Sequence, residues 1–218
     1  MTEIIKIREI IGTVAFGLSG SLVAISSGLD VFGVAFLSCI TAFGGGILRD
    51  ILLGITPPAI FTQFPVFLIA VVVALLTFLV AYIFRERFAF FRTKVEYINN
   101  IFDAIGLAAF VVIGCEISCV NGFLENGFIV VFSGMITGVG GGIFRDVLID
   151  TTPYIFKKHV YAIAAIFGGI IYFLLRKFTE NIELASMASM LIIFTVRMLA
   201  TKYRWSLPKV KTDTEENR

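Results

Sequence analysis

Seven apolar stretches, each about 20 residues long, divide the sequence into segments that could cross a bilayer. They run from about 5–26, 32–53, 64–84, 98–120, 127–149, 159–176 and 183–203. A helix needs about 20 mainly apolar residues to span the hydrocarbon core. Charged residues make up only 16% of the chain, against about 25% in soluble domains, and the mean hydropathy is +0.94. The sequence therefore predicts an all-α membrane protein with seven transmembrane helices.

Basic residues between these stretches predict the orientation, because Lys and Arg are enriched in cytoplasmic loops. If the loop between the third and fourth stretches is cytoplasmic, its side carries eleven basic residues and the other side carries four. We therefore expect the N-terminus outside and the C-terminus in the cytoplasm, with Trp205 as an aromatic anchor at the inner interface. The four outer residues are Lys6, Arg8, Arg176 and Lys177, and the eleven inner ones are Arg85, Arg87, Arg92, Lys94, Lys157, Lys158, Lys202, Arg204, Lys209, Lys211 and Arg218.

An internal repeat is the strongest pattern in the chain. Residues 44–52 read GGGILRDIL and residues 140–148 read GGGIFRDVL, with a Thr-Pro pair at the same distance after each. Each repeat contains three stretches, and because three is odd, the second repeat enters the membrane from the opposite side. We therefore expect two inverted three-helix repeats and a seventh helix. The expected boundaries are 1–90 for the first repeat, 91–180 for the second, 181–205 for the seventh helix and 206–218 for a polar cytoplasmic tail.

The glycine triplets interrupt two of the apolar stretches. Each glycine weakens a helix by about 1 kcal/mol relative to alanine, and a break would expose backbone groups that lipid cannot satisfy. We therefore expect kinks that line a polar path and bind a solute. A second interpretation stays open, in which the glycines only allow close helix packing. The triplets are Gly44, Gly45 and Gly46, and Gly140, Gly141 and Gly142.

An arginine–aspartate pair follows each triplet: Arg49-Asp50 and Arg145-Asp146. A charge inside a span costs about 2.5–3.5 kcal/mol, so the pairs should face the bundle interior or a wet cavity. Adjacent residues point in different directions on a helix, and we expect each to pair across the repeat or with the backbone. Inversion puts Arg49 toward the outer end and Arg145 toward the inner end, which suits two gates or, alternatively, a structural clamp.

Three further charged residues have less definite predicted roles. Arg197 is expected to snorkel to the inner surface, or else to bind lipid phosphate. Asp103 and Glu116 are expected at or near span ends, with Asp103 as a capping or interfacial residue or, alternatively, as a residue with a role in transport. The chain has one histidine, and we predict no catalytic, metal or cofactor site. An intramembrane aspartyl protease is disfavoured, because its two aspartates must share a proton and those in the pairs follow arginines at opposite depths.

The doubled GGGxxRD element and the three-plus-three-plus-one layout resemble the TRIC family, the trimeric intracellular cation channels and their bacterial relatives. The resemblance covers residues 9–208, approximately. Arg-Asp stands where the animal members have Lys-Glu, so the chain is similar to the prokaryotic branch, also described as carrying a glycine-transporter-type domain. The resemblance implies an inner-membrane homotrimer, with lipid bound near the subunit contacts. We expect no nucleic-acid partner, because the net charge is only +2 and the basic residues form no single stripe.

The resemblance also implies a function. Every subunit would have an hourglass pore for potassium or another monovalent cation, lined by the glycine-kinked second and fifth helices, with Arg49 and Arg145 at the gates. The alternative is a secondary transporter for a small zwitterion such as glycine, in which one of these arginines would hold the carboxylate. Neither of these functions is enzymatic, so we expect the protein not to be an enzyme.

Overall fold

The computed structural model describes residues 3–86, 92–157, 160–179 and 181–205. Seven of its helices are long and apolar enough to cross a membrane, so the predicted all-helical membrane fold is confirmed. The predicted ends agree to within two residues, except that the fourth helix begins at Arg92. The seven are α1 (Glu3–Ser26), α2 (Val31–Leu52), α3 (Phe64–Ile83), α4 (Arg92–Ser118), α5 (Gly127–Leu148), α6 (Val160–Phe178) and α7 (Ile182–Lys202).

Some sequence predictions fall outside the described residues. They are the polar tail 206–218 and the loop charges Arg87, Lys158, Lys209, Lys211 and Arg218.

The helix bundle is centred on α4. α1 packs on α4, and α2 packs on α5. α3 packs on α1 and α2, and α6 packs on α5. α7 packs on both α4 and α6. The most apolar window of α4 is 78% buried and that of α3 only 17%, so α4 is the central helix and α3 the most peripheral.

Reciprocal contacts between α1 and α4 reflect the inverted repeat. The Phe110 ring lies 3.0 Å from where a Cβ on Gly12 would stand, and the Phe16 ring occupies the equivalent place over Gly106. The two rings pack with their centroids 5.2 Å apart. Gly12 and Gly106, like Phe16 and Phe110, are separated by the same interval in sequence. Two repeats related by a two-fold axis produce this exchange of contacts.

A second reciprocal contact brings α2 and α5 together at the middle glycine of each triplet. Gly45 lies directly against the carbonyl oxygen of Thr137, and Gly141 lies against the carbonyl oxygen of Thr41. A Cβ at either glycine would overlap a backbone atom, which cannot move as a side chain could. The two helices can therefore cross this closely only with glycine at these positions.

Neither helix breaks at its glycine triplet, because both helices continue through the glycines. α2 is helical from Val31 to Leu52 and α5 from Gly127 to Leu148, with no interruption. The physical reason is that the close crossing offsets the low helix propensity of glycine. In this part of the chain the packing interpretation of the triplets is the better one.

The crossing predicts unequal effects of the same substitution at neighbouring glycines. Gly45→Ala and Gly141→Ala should lower the free energy of unfolding by about 1–3 kcal/mol, because overpacking forces the helices apart. Gly46→Ala and Gly142→Ala are the matched controls, since the nearest atoms to a Cβ there lie at 3.7 and 3.6 Å. The controls should be neutral or stabilising, because alanine favours a helix by about 1 kcal/mol relative to glycine.

The measurement for all four variants is heat-induced loss of the monodisperse peak in size-exclusion chromatography. Equal losses at all four positions would contradict the crossing.

Candidate functional site: two buried charge clusters

The two arginine–aspartate pairs lie at opposite ends of the helix bundle. Each occurs in the last turn of its helix, α2 or α5. Successive spanning helices alternate in direction, so the end of α2 shares a membrane face with the start of α1, and the end of α5 lies at the other face. We call Glu9, Arg49 and Asp50 the Arg49 cluster. The Arg145 cluster consists of Asp103, Arg145, Asp146 and Arg197.

The Arg49 cluster is built around a short ion pair. The Nε and Nη2 atoms of Arg49 donate to Oδ1 of Asp50 at 2.8 and 2.6 Å. The other oxygen of Asp50, Oδ2, accepts from the backbone N–H of Ala59 at 2.8 Å. Asp50 thus fastens the loop after α2 to the helix end. Both charged side chains are buried, at 5% and 2% exposed.

The prediction that neighbouring residues would not pair is therefore wrong, although Asp50 also binds the backbone as expected. A buried charge left without a partner is costly. The arginine stem is long enough to fold its guanidinium back onto the adjacent carboxylate, which removes that cost within one helical turn. The pairing is charge-assisted and short, as strong hydrogen bonds are.

The Arg145 cluster repeats this arrangement and extends it. Arg145 Nε donates to Asp146 Oδ1 at 2.8 Å, and Asp146 Oδ2 accepts from the backbone N–H of Tyr154 at 2.7 Å. Arg145 Nη1 also donates to Ser19 Oγ at 2.9 Å and to Asp103 Oδ1 at 3.2 Å. Ser19 belongs to the first repeat, so this contact is the predicted cross-repeat pairing. One guanidinium here ties α1, α4 and α5 together.

Arg197 completes the Arg145 cluster and does not snorkel to the surface as predicted. It is 2% exposed, and its guanidinium lies 4.5 Å from the ring centroid of Tyr161 and 5.6 Å from that of Tyr154. Its Nη2 is 3.8 Å from Asp103 Oδ2. Two aromatic faces and a carboxylate stabilise the cation inside the protein, although its Nε and Nη2 donate no hydrogen bond to the described residues.

Trp205 lies beyond the end of α7, half exposed, with its ring centroid 6.5 Å from that of Tyr203. Its predicted role as an interfacial anchor stays a prediction.

A third ion pair was missed at the sequence level, where Arg8 was counted as a loop charge and Glu116 as a span-end residue. Both are buried, and Arg8 Nη2 donates to Glu116 Oε2 at 2.8 Å. Arg8 Nη1 also lies 3.7 Å from Glu183 on α7. Asp103, expected as a capping or interfacial residue, is likewise buried. The available signal was the position of Asp103 and Glu116 inside an apolar stretch, where a charge requires a partner.

The third glycine of each triplet borders its cluster. The nearest atoms to a Cβ on Gly46 are the guanidinium nitrogens of Arg49, at 3.7 and 4.0 Å. Beside Gly142 they are Tyr161 Oη at 3.6 Å and Arg145 Nη2 at 3.8 Å. A cavity of about 30 Å³ adjoins Gly46, which is room for about two water molecules. Gly46 and Gly142 thus face polar side chains, whereas Gly45 and Gly141 face backbone.

The first glycine of each triplet packs. Gly44 lies under the Phe144 ring, and a Cβ on Gly140 would stand 2.9 Å from the Cα of Gly45. The six glycines predicted to bind a solute thus divide into four packing positions and two that border charge.

Comparisons with known proteins agree with this architecture. A family model described as a glycine transporter matches residues 6–83 and 100–177. Each matched segment contains three spanning helices, and α7 lies outside both. The UPF0126 inner membrane protein YadS of Escherichia coli is 37% identical over 208 residues, covering 94% of this chain and 95% of that protein.

Two solved structures share the fold over almost the whole chain. The crystal structure of a prokaryotic TRIC channel in 0.5 M KCl is 34% identical, with a TM-score of 0.84, and covers 95% of this chain and 100% of that one. The TRIC trimeric intracellular cation channel orthologue from Rhodobacter sphaeroides is 29% identical, with a TM-score of 0.83, and covers 94% and 100%. This protein is an integral membrane protein that belongs to the TRIC family, in the prokaryotic branch whose repeat the family model describes as a glycine transporter.

Proposed function

We propose that this protein is a channel for monovalent cations such as potassium, with one pore inside each subunit of a homotrimer. The pore is lined by α2 and α5 and runs alongside their crossing, past Gly46 at one end and Gly142 at the other. The observation that carries the proposal is the pair of buried arginine–aspartate clusters at opposite ends of one helix crossing. The likeness to solved TRIC channels supports both the cation and the trimer.

The clusters suit gates because each places an arginine side chain that can move beside carboxylates that are fixed. An arginine in the path repels a passing cation, and the paired aspartate holds that arginine in place. Breaking a buried pair by removing one partner costs about 3–5 kcal/mol, so a closed state stabilised by two such pairs opens only when an input offsets that cost. Swinging the guanidinium aside would expose Asp50 or Asp146 to the path, where the carboxylate attracts the cation.

A transporter for a small zwitterion such as glycine is the second candidate, and the description of the family model favours it. A guanidinium can bind a substrate carboxylate through two parallel hydrogen bonds. In this fold both arginines already bind aspartates. A substrate carboxylate would have to compete with Asp50 or Asp146 for the guanidinium, which favours the channel. An aspartyl protease has less support still, because each of these aspartates is held by its own arginine and backbone N–H.

Several finer features belong to the same proposal. The chain lies in the plasma membrane of a prokaryote with its N-terminus outside and its C-terminus in the cytoplasm, and Trp205 anchors the inner end of α7. Burial of Arg8 leaves three basic residues on the outer side, which strengthens the charge asymmetry. The repeats occupy residues 1–90 and 91–180, followed by the seventh helix and the tail, and lipid binds between subunits.

Charge removal at the two ends should alter rectification in opposite directions. Arg49→Gln and Arg145→Gln each remove one positive charge but keep a hydrogen-bond donor for the neighbouring aspartate. Cations entering from the altered end should then be favoured, by roughly twofold or more in the current ratio at opposite voltages, because local potential concentrates counter-ions. The measurement is single-channel recording in potassium chloride, with the orientation of insertion read from a C-terminal tag.

Lys177→Gln is the control for this experiment, because Lys177 pairs with Glu125 at the protein surface. It should leave the ratio unchanged. Unaltered rectification in both arginine variants, with the protein folded by size-exclusion chromatography, would rule out gates at these residues.

The two candidate functions differ in the transport they predict. A channel gives discrete current steps in planar bilayers and a reversal potential that follows the potassium gradient. A transporter gives saturable uptake of labelled glycine into vesicles and no steps. We expect steps and no saturable uptake from the purified wild-type protein, and the reverse result would replace the channel with the transporter.

A further inference from the structure

Two oxygen atoms on α1 have no hydrogen-bond partner among the described residues, and both residues line one small cavity. They are Oε2 of Glu9 and Oγ1 of Thr13, each buried from solvent. Glu9 and Thr13 are one helical turn apart and therefore on one face of α1. The cavity that they line, beside Gly46, has a volume of about 30 Å³. A buried polar group without a partner is unfavourable, so these oxygens require something in the cavity.

Charge distinguishes this end of the bundle from the other. The Arg49 cluster contains two carboxylates and one guanidinium. The Arg145 cluster contains two carboxylates and two guanidiniums, because α7 contributes Arg197. With every group in its ordinary ionised form, the Arg49 cluster carries one excess negative charge and the Arg145 cluster none.

Glu9 and Asp103 occupy equivalent places in the two repeats, yet their carboxylates are used differently. Asp103 Oδ1 accepts from Arg145 at 3.2 Å, and its Oδ2, which accepts no hydrogen bond from the described residues, lies 3.8 Å from the guanidinium of Arg197. In the first repeat Arg49 donates to Asp50 through Nε and Nη2, and no hydrogen bond from Arg49 to Glu9 occurs among the described side chains. The first repeat has no equivalent of α7, so no second arginine reaches Glu9.

We propose that the cavity beside Gly46 is a binding site for one monovalent cation, held by Glu9 Oε2 and Thr13 Oγ1. Arg49 and Asp50 also line this cavity, and the ion pair between them offsets the repulsion of the cation by the guanidinium. Carboxylate and hydroxyl oxygens are hard ligands that suit an alkali cation. The volume admits one partly dehydrated ion together with about one water molecule. The site rests on the proposed channel function, in which it holds the ion nearest the Arg49 end of the pore.

Thallium(I) is the probe, because it replaces potassium and scatters X-rays anomalously. Crystals of the full-length protein grown in thallium nitrate should show an anomalous peak within bonding distance of both oxygens. Glu9→Gln should abolish the peak and Thr13→Val should weaken it. Thr77→Val is the matched control, since its hydroxyl donates to Val73 O of its own helix and it does not line this cavity. The control should retain the full peak.

Conductance provides the second readout and separates this inference from the channel itself. At low potassium chloride the single-channel conductance of Glu9→Gln and Thr13→Val should fall severalfold, and at saturating salt it should approach the wild-type value. Wild-type conduction with no thallium peak at Glu9, or with a peak that survives Glu9→Gln, would overturn the site and leave the channel standing. A peak that depends on Glu9 in a protein that passes no current would support the site and remove the channel.

Discussion

The contact of two glycines with two carbonyl oxygens sets the geometry on which the rest of the structure depends. Gly45 meets the backbone of Thr137, and Gly141 meets the backbone of Thr41. Because the contacts are reciprocal, they fix both the distance between α2 and α5 and the register in which the helices cross. The arginine–aspartate pairs follow each glycine at equal spacing, so the same crossing places one charge cluster at each end of the bundle.

Burial of charge then explains why the two ends are not equivalent. Each buried ion must be paired, and inverted repeats alone would give both ends the same set of partners. The seventh helix breaks this equivalence. Its Arg197 brings a second cation to the Arg145 cluster between two tyrosine rings, while its Glu183 approaches Arg8 near the opposite end. The proposed path through the subunit would therefore have one end with compensated charge and one with an excess carboxylate, which would give it direction.

The sequence predicted the fold well because hydropathy and self-similarity are local signals. The length of an apolar stretch predicts a spanning helix, and the doubled GGGxxRD element indicated the inverted repeats without any tertiary information.

The geometry of the site was harder to predict, because it depends on distances between helices. Glycine alone predicts a helix break because of its low helix propensity. The continuity of α2 depends on the packing of the Thr137 carbonyl against Gly45, which the sequence does not show. Arg197 lies within reach of the surface, and only its neighbours Tyr161 and Asp103 show why it stays inside. The pairing of Arg49 with Asp50 depended on a side-chain rotamer, which spacing does not specify.

Ions are proposed to pass through each subunit alongside Gly46, and thiol modification tests this path most directly. In a variant without Cys39, Cys115 and Cys119, Gly46→Cys places a single thiol in the proposed path, and Leu79→Cys places one on the exposed face of α3. A water-soluble cationic thiol reagent is added during recording in planar bilayers. We expect the Gly46→Cys current to be blocked in discrete steps, while the Leu79→Cys current is unchanged. Full labelling of Cys at position 46, measured by mass spectrometry, with no loss of current would contradict it.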